Sequence, residues 1–184
     1  MGTKGFIQPY EPKPGVFDGW ARVTVTGPGK ILGTAEILQV SGVPVGCPPV
    51  ICLRPSAVYR SDAVVYPVKA AKAFRAAAVI SPYRHTAFSV VNPSKTETAH
   101  VCLQLYQTEG TLLAQSEITS IPPLQRRSFF AREWSALDTP QNSPFKDGFY
   151  GSARIFSDVP IAVGALQILL PEGKLVTAVV TPEP

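Results

Sequence analysis

The chain has 184 residues, 45% of them hydrophobic and only 16% charged, with 19 prolines and 14 glycines. That length buries a sizeable core, and the low charge excludes a disordered chain. The net charge of +4 comes from scattered lysines and arginines, which speaks for solubility and against nucleic-acid binding.

Residues 1–18 form a proline-spaced arm, "GFIQPYEPKPGVF", in which Phe6, Ile7, Tyr10 and Phe17 are punctuated by Pro9, Pro12 and Pro14. Such an arm cannot fold alone, so its apolar side chains need a surface. That surface is either its own sheet or the open edge of a neighbouring subunit. The opening "MGTKGFIQPY" lacks the apolar stretch of a signal peptide.

From there a period of two dominates. "ARVTVTG" at 21–27 alternates, turns at "GPG", and returns as "ILGTAEILQV", so 21–40 reads as a hairpin. Cys47 and Cys52 follow, flanking "PPVI". They make either a small disulfide loop, which would mark an oxidising compartment, or two unpaired thiols. "VKAAKAFRAAAV" at 68–79 is alanine-rich, with Lys69, Lys72 and Arg75 at helical spacing, but Pro67 and Pro82 bracket it. The reading favoured is a strand from about Phe74.

"TAFSVVNPS" at 86–94 is a strand closed by an Asn-Pro-Ser turn. "AHVCLQLYQ" puts Val101, Leu103 and Leu105 on one face and Cys102, Gln104 and Tyr106 on the other. Cys102 reads as an incidental thiol. "TLLAQSEITSI" is the next strand, ended by Pro122 and Pro123. "SFFAREWSALD" at 128–138 has Phe130, Trp134 and Leu137 at helical steps, which predicts one or two helical turns. "SARIFSD", a turn at Val159 and Pro160, and "IAVGALQILL" read as another hairpin, with "KLVTAVVTP" the last strand. The longest apolar run, 159–171, is too short and too interrupted to span a bilayer.

One phrase occurs twice. "GWARVTVTGPGKILGTAEIL" and "GSARIFSDVPIAVGALQIL" share Gly19/Gly151, Ala21/Ala153, Arg22/Arg154, Pro28/Pro160, Gly33/Gly164, Ile37/Ile168 and Leu38/Leu169. The physical content is an arginine on the wet face, a proline turn, and a glycine allowing close packing on the return strand. Internal duplication follows as the expectation, with an arm at 1–18, a first β half at 19–82 and a second β module at 83–184.

The series "TAFSVVNPS", "AHVCLQLYQTEG", "IPP", "GSARIFSDVPIAVGALQ" and "LVTAVVTP" resembles the immunoglobulin-like or fibronectin-like β-sandwich modules of secreted and surface-exposed bacterial proteins. The resemblance covers most of the chain from about Gly19; the stretch from Ser41 to Pro67 has no counterpart. It implies an all-β antiparallel sandwich built from two related halves. It also implies an extracellular or cell-surface location and a non-catalytic role in spacing, display or adhesion.

The residues themselves offer little chemistry. His85 and His100 sit in no metal-ligand spacing, no nucleophile elbow is present, and "GPGKILG" has the wrong spacing for a phosphate loop. No cofactor or metal is expected. Two features suit binding. "QRRSFFAREW" gathers Arg126, Arg127, Phe129, Phe130, Arg132 and Trp134, a set that suits a polysaccharide, a polyanion or a protein interface. The plainer alternative makes Phe130 and Trp134 plugs for one end of the core. The second feature is the arm. The function expected is therefore a structural subunit acting in assembly or adhesion, with other protein subunits as partners and a homo-oligomer or filament as the product. The alternatives are a carbohydrate- or polyanion-binding module and a viral or phage shell component.

Overall fold

A computed structural model describes residues 35–41, 58–65, 68–136, 145, 147–170 and 174–184. The described chain is all-β: an antiparallel sheet curled into a half-barrel, with no α-helix among the described residues. The strands are β1 (Ala35–Ser41), β2 (Val58–Val65), β3 (Ala71–Ser81), β4 (Arg84–Val91), β5 (Ala99–Gln107) and β6 (Leu112–Gln115). They continue as β7 (Thr119–Ile121), β8 (Arg126–Phe130), a 3-10 helix (Ala131–Ala136), β9 (Phe149–Leu169), β10 (Lys174–Ala178) and β11 (Val180–Pro182).

β9 organises the rest. Its first half lies between β3 and β5, and its second half lies between β4 and β10. The sequence reading puts a hairpin turn at Val159–Pro160, and this is corrected: one strand of 21 residues runs through. The reason is local. The β5 ladder ends at Ser157, the β4 ladder starts at Ala162, and the β3 ladder skips from Phe156 to Ile161. Pro160 sits in that gap, where its missing N–H removes no ladder bond. Asp158 accepts the Val159 N–H at 3.0 Å there. Odd-numbered residues point inward on both sides of the bend, so Ala153, Ile155, Ile161 and Val163 line one continuous core.

β5 keeps the alternation read from its sequence, with Val101, Leu103 and Leu105 fully buried. Each fully buried side chain of this size contributes about 1.5–3 kcal/mol. Cys102, on the opposite face, is also buried, beneath the β6–β7 link, where its Sγ lies 3.5 Å from the Ser116 carbonyl. Ser116 explains why "TLLAQSEITSI" is two strands and not one. Its N–H still donates to the Leu103 carbonyl at 2.8 Å, but its buried Oγ accepts the Leu103 N–H at 2.9 Å and donates to the Glu117 carbonyl at 2.8 Å, so the regular ladder is broken between Gln115 and Thr119.

Other expectations shift in detail. The strand placed from Phe74 begins at Ala71, and Pro82 occupies the turn between β3 and β4, two strands of one sheet. The helical turns placed at 128–138 begin only at Ala131, because Arg126–Phe130 pairs with β4. Gly164 does not mediate close packing: an added Cβ would meet nothing within 4 Å. Gly151 holds the crowded position, against the Tyr106 carbonyl and the Phe149 ring. Of the hairpin read at 21–40, only β1 is described, and it pairs with β2 from the segment left without a counterpart. The arm residues Phe6, Ile7, Tyr10 and Phe17, and Cys47 and Cys52, lie outside the described residues.

Candidate functional site

β8 divides the aromatic-basic cluster between two faces. Strand alternation turns Phe129 inward and Phe130 outward. Phe129 packs on Phe88 with ring centroids 6.1 Å apart and edge-on against Trp134 at 3.6 Å. Trp134 is 3% exposed, so its ring is a core plug and presents no face to a ligand. Its indole nitrogen is buried without a hydrogen-bond partner, a cost the packing around the ring must offset. Arg127 is exposed on β8, and Arg126 is half-buried there beside Val91 of β4.

Phe130 and Arg132 meet different company. With His85, Glu133, Ile168 and Leu170 they line an open groove of about 470 Å³. Its position follows from the register: His85 of β4 pairs with Ile168 of β9, and Ala87 of β4 pairs with Phe130 of β8. The 3-10 helix then carries Arg132 and Glu133 over the same outer face. His85 meets Phe130 edge to face at 6.0 Å. Burial, reinforced by the Arg132 cation, holds the His85 imidazole below its ordinary pKa, against the opposite pull of Glu133. At neutral pH the ring is uncharged, one nitrogen donating and the other accepting. Glu133 is the one carboxylate among the described lining residues.

A second polar cluster lies on the outer face of the other end of β9. Glu183 follows β11 and receives Arg75 Nε of β3 and Arg154 Nε of β9, each at 2.7 Å. Arg75 lies 5.6 Å above the Tyr106 ring, and Arg154 lies 5.1 Å from the Phe156 centroid. Partial burial raises the Glu183 pKa, but the hydrogen bonds and charges of Arg154 and Arg75 together outweigh it, leaving the carboxyl below its ordinary value. A depressed carboxyl stabilises the fold fully above its unfolded value of 4.5 and loses that contribution as pH falls through the folded value. Glu183→Gln should therefore cost about 1 kcal/mol at pH 7, allowing for solvent at the half-exposed Arg75. The difference from the parent chain should shrink in denaturant titrations as pH falls below 4.5.

At the bend of β9, Asp158 accepts the His100 backbone N–H at 2.9 Å and meets His100 Nδ1 at 2.7 Å. The backbone N–H and then the ring hold Asp158 down at about 2, from 3.8. Both side chains are half exposed, so screening limits the gain. Asp158→Asn should lower stability by about 0.5–1 kcal/mol at pH 6, with the loss fading between pH 4 and pH 2.

Sequence reasoning thus found Phe130 and Arg132, weighed Glu133 only as half of a carboxylate pair with Asp138, and missed His85, Ile168 and Leu170. Ile168 and Leu170 belong to an apolar run that reads as core, and His85 carries no motif. Only the pairing of β9 with β4 brings them together. Comparison with known protein families, characterised proteins and solved structures finds no match. The site must be read from its own chemistry. Among the described residues no group of three or more His, Cys, Asp or Glu side chains is arranged to hold a metal ion.

Proposed function

We propose that the chain is a non-catalytic structural protein of the cell surface or extracellular space, built from repeated β-sandwich units and acting in assembly or adhesion. The resemblance to immunoglobulin-like modules of secreted bacterial proteins supports this reading. The observation that carries it is the way the duplicated phrase recurs in the pairing. Aligning Ile37 with Ile168 and Leu38 with Leu169 sets β1 on the second half of β9, and each is followed by an antiparallel partner. Ile37 faces Ala63 and Leu38 faces Asp62; Ile168 faces Leu175 and Leu169 faces Lys174. Under the same alignment Val64 falls on Val176. Repetition of one small ribbon is how chains build spacers and scaffolds, because each unit buries its apolar face on its neighbour.

In this reading the half-barrel is a rigid body that displays its outer face, and the arm with Phe6, Ile7, Tyr10 and Phe17 lies on the next copy along a filament. Deleting residues 1–18 should then abolish higher-order species in sedimentation velocity; unchanged assembly would remove the arm from the account. On intact cells, an added protease should cleave the protein without lysis, and loss of the protein should reduce attachment or surface assembly. A protected protein whose loss changes neither would remove the surface role.

A further inference from the structure

We infer that the outer-face groove between β4, β8 and the end of β9 is a binding site for a neutral saccharide unit. The inference rests on the adhesion reading and names what the surface would adhere to. A pyranose ring has two kinds of surface: axial C–H faces that are apolar, and equatorial hydroxyls that each donate and accept a hydrogen bond. The groove offers both. Phe130, Ile168 and Leu170 supply an apolar floor, and the edge-on contact with His85 helps fix the Phe130 ring. Tyr83, 73% exposed, is tied to the lining residue Leu170 through its carbonyl, which accepts the Leu170 N–H at 2.8 Å, and is the aromatic we assign to stacking at the rim.

The polar groups are complementary to hydroxyls in kind as well as number. Glu133 only accepts, Arg132 only donates, and the uncharged His85 ring does one of each. A polyanion would have to approach Glu133, and Arg132 is the one arginine or lysine among the described lining residues. An apolar peptide would cover Glu133 and His85 and offer neither a hydrogen-bond partner. The volume of about 470 Å³ falls in the range of small-molecule sites, roughly 300–1,000 Å³. Its open mouth suits the end or the side of a chain, as a sugar polymer requires.

The test is a glycan array of neutral oligosaccharides probed with the full chain, with dextran sulfate as the polyanion arm, followed by saturation-transfer NMR on whatever binds. The expected outcome is binding to at least one neutral glycan, with an affinity that changes less than twofold between 50 and 500 mM salt. Tyr83→Ala and Glu133→Gln, both at exposed positions, should each weaken it at least tenfold, and so should Phe130→Ala. The exposed pair keeps the test sound if the Phe130 variant fails to fold. Binding to no neutral glycan, binding to dextran sulfate alone, or binding unchanged in the Tyr83 and Glu133 variants would each overturn the inference. Reduced attachment of cells lacking the protein, together with an empty array, would sink the saccharide and leave the surface role standing. Unchanged attachment would sink the surface role itself.

Discussion

Gly151→Ala should destabilise the fold by about 3 kcal/mol and move the denaturation midpoint further than any surface substitution. Gly151 sits in β9 between Ala78 of β3 and Gln107 of β5. A Cβ built there collides with the Tyr106 carbonyl oxygen and presses on the Phe149 ring. A flexible side chain would swing away, but a carbonyl in a ladder moves only with its strand. Relief means separating β5 from β9 at the point where Leu105 and Ala153 are fully buried. Gly164→Ala is the control on the same strand. Its Cβ meets open space, and strand interiors disfavour glycine, so this variant should be neutral or gain up to about 1 kcal/mol. Equal midpoints for the two variants would remove the crowding argument.

Asn92→Ala should cost about 3–4 kcal/mol. Asn92 is fully buried after β4, at the Asn-Pro-Ser turn. Its Nδ2 donates to the Glu97 carbonyl at 2.7 Å and to the Ile121 carbonyl at 2.9 Å, while its Oδ1 accepts the Ser94 N–H at 3.0 Å. Its own backbone N–H donates to the Gln125 carbonyl at 2.9 Å. The side chain thereby ties the turn to the end of β7, and the backbone N–H ties it to the approach to β8. Alanine leaves two carbonyls and an N–H without that partner, and each buried polar group so orphaned costs about 1–3 kcal/mol, less where water enters. Asn92→Asp should be no rescue, because a carboxylate has no donors for the two carbonyls and must be buried charged or protonated. Thermal melts and denaturant titrations both read the effect. A midpoint within the error of the parent chain would show that the turn is held by its backbone alone.

Local features of this fold are legible in the sequence. The buried face of β5 follows from the alternation of Val101, Leu103 and Leu105, and the stop after β4 follows from Asn92 and Pro93. Arg154 lies outward, as its place opposite Ala153 requires. The longer-range features are not legible. Nothing in "SDVPIA" distinguishes a hairpin turn from a bend within one strand. The choice depends on β4 and β5 supplying ladders that stop on either side of Pro160. Gly164 reads in sequence as the close-packing glycine, yet the structure crowds Gly151 instead, and only its neighbours across the sheet tell the two apart. Phe129, Phe130 and Trp134 form one aromatic cluster in sequence, yet strand pairing up to Phe130 sends one phenylalanine to the core and the other to the groove. His85 and Ile168 become neighbours only through a pairing across more than eighty residues, which no local pattern encodes.

The continuity of β9 places the groove, the Glu183 clamp and the bend, so it is the most direct point of test. Cross-strand nuclear Overhauser contacts in a labelled full chain would settle it. The account requires contacts between Ser152 and Tyr106 at one end and between Gly164 and Ser89 at the other, with both halves of the strand slow to exchange their amides. Contacts joining Ile155 to Val163 would instead fold the segment back on itself as a hairpin, separate His85 from Ile168, and leave no groove on that face.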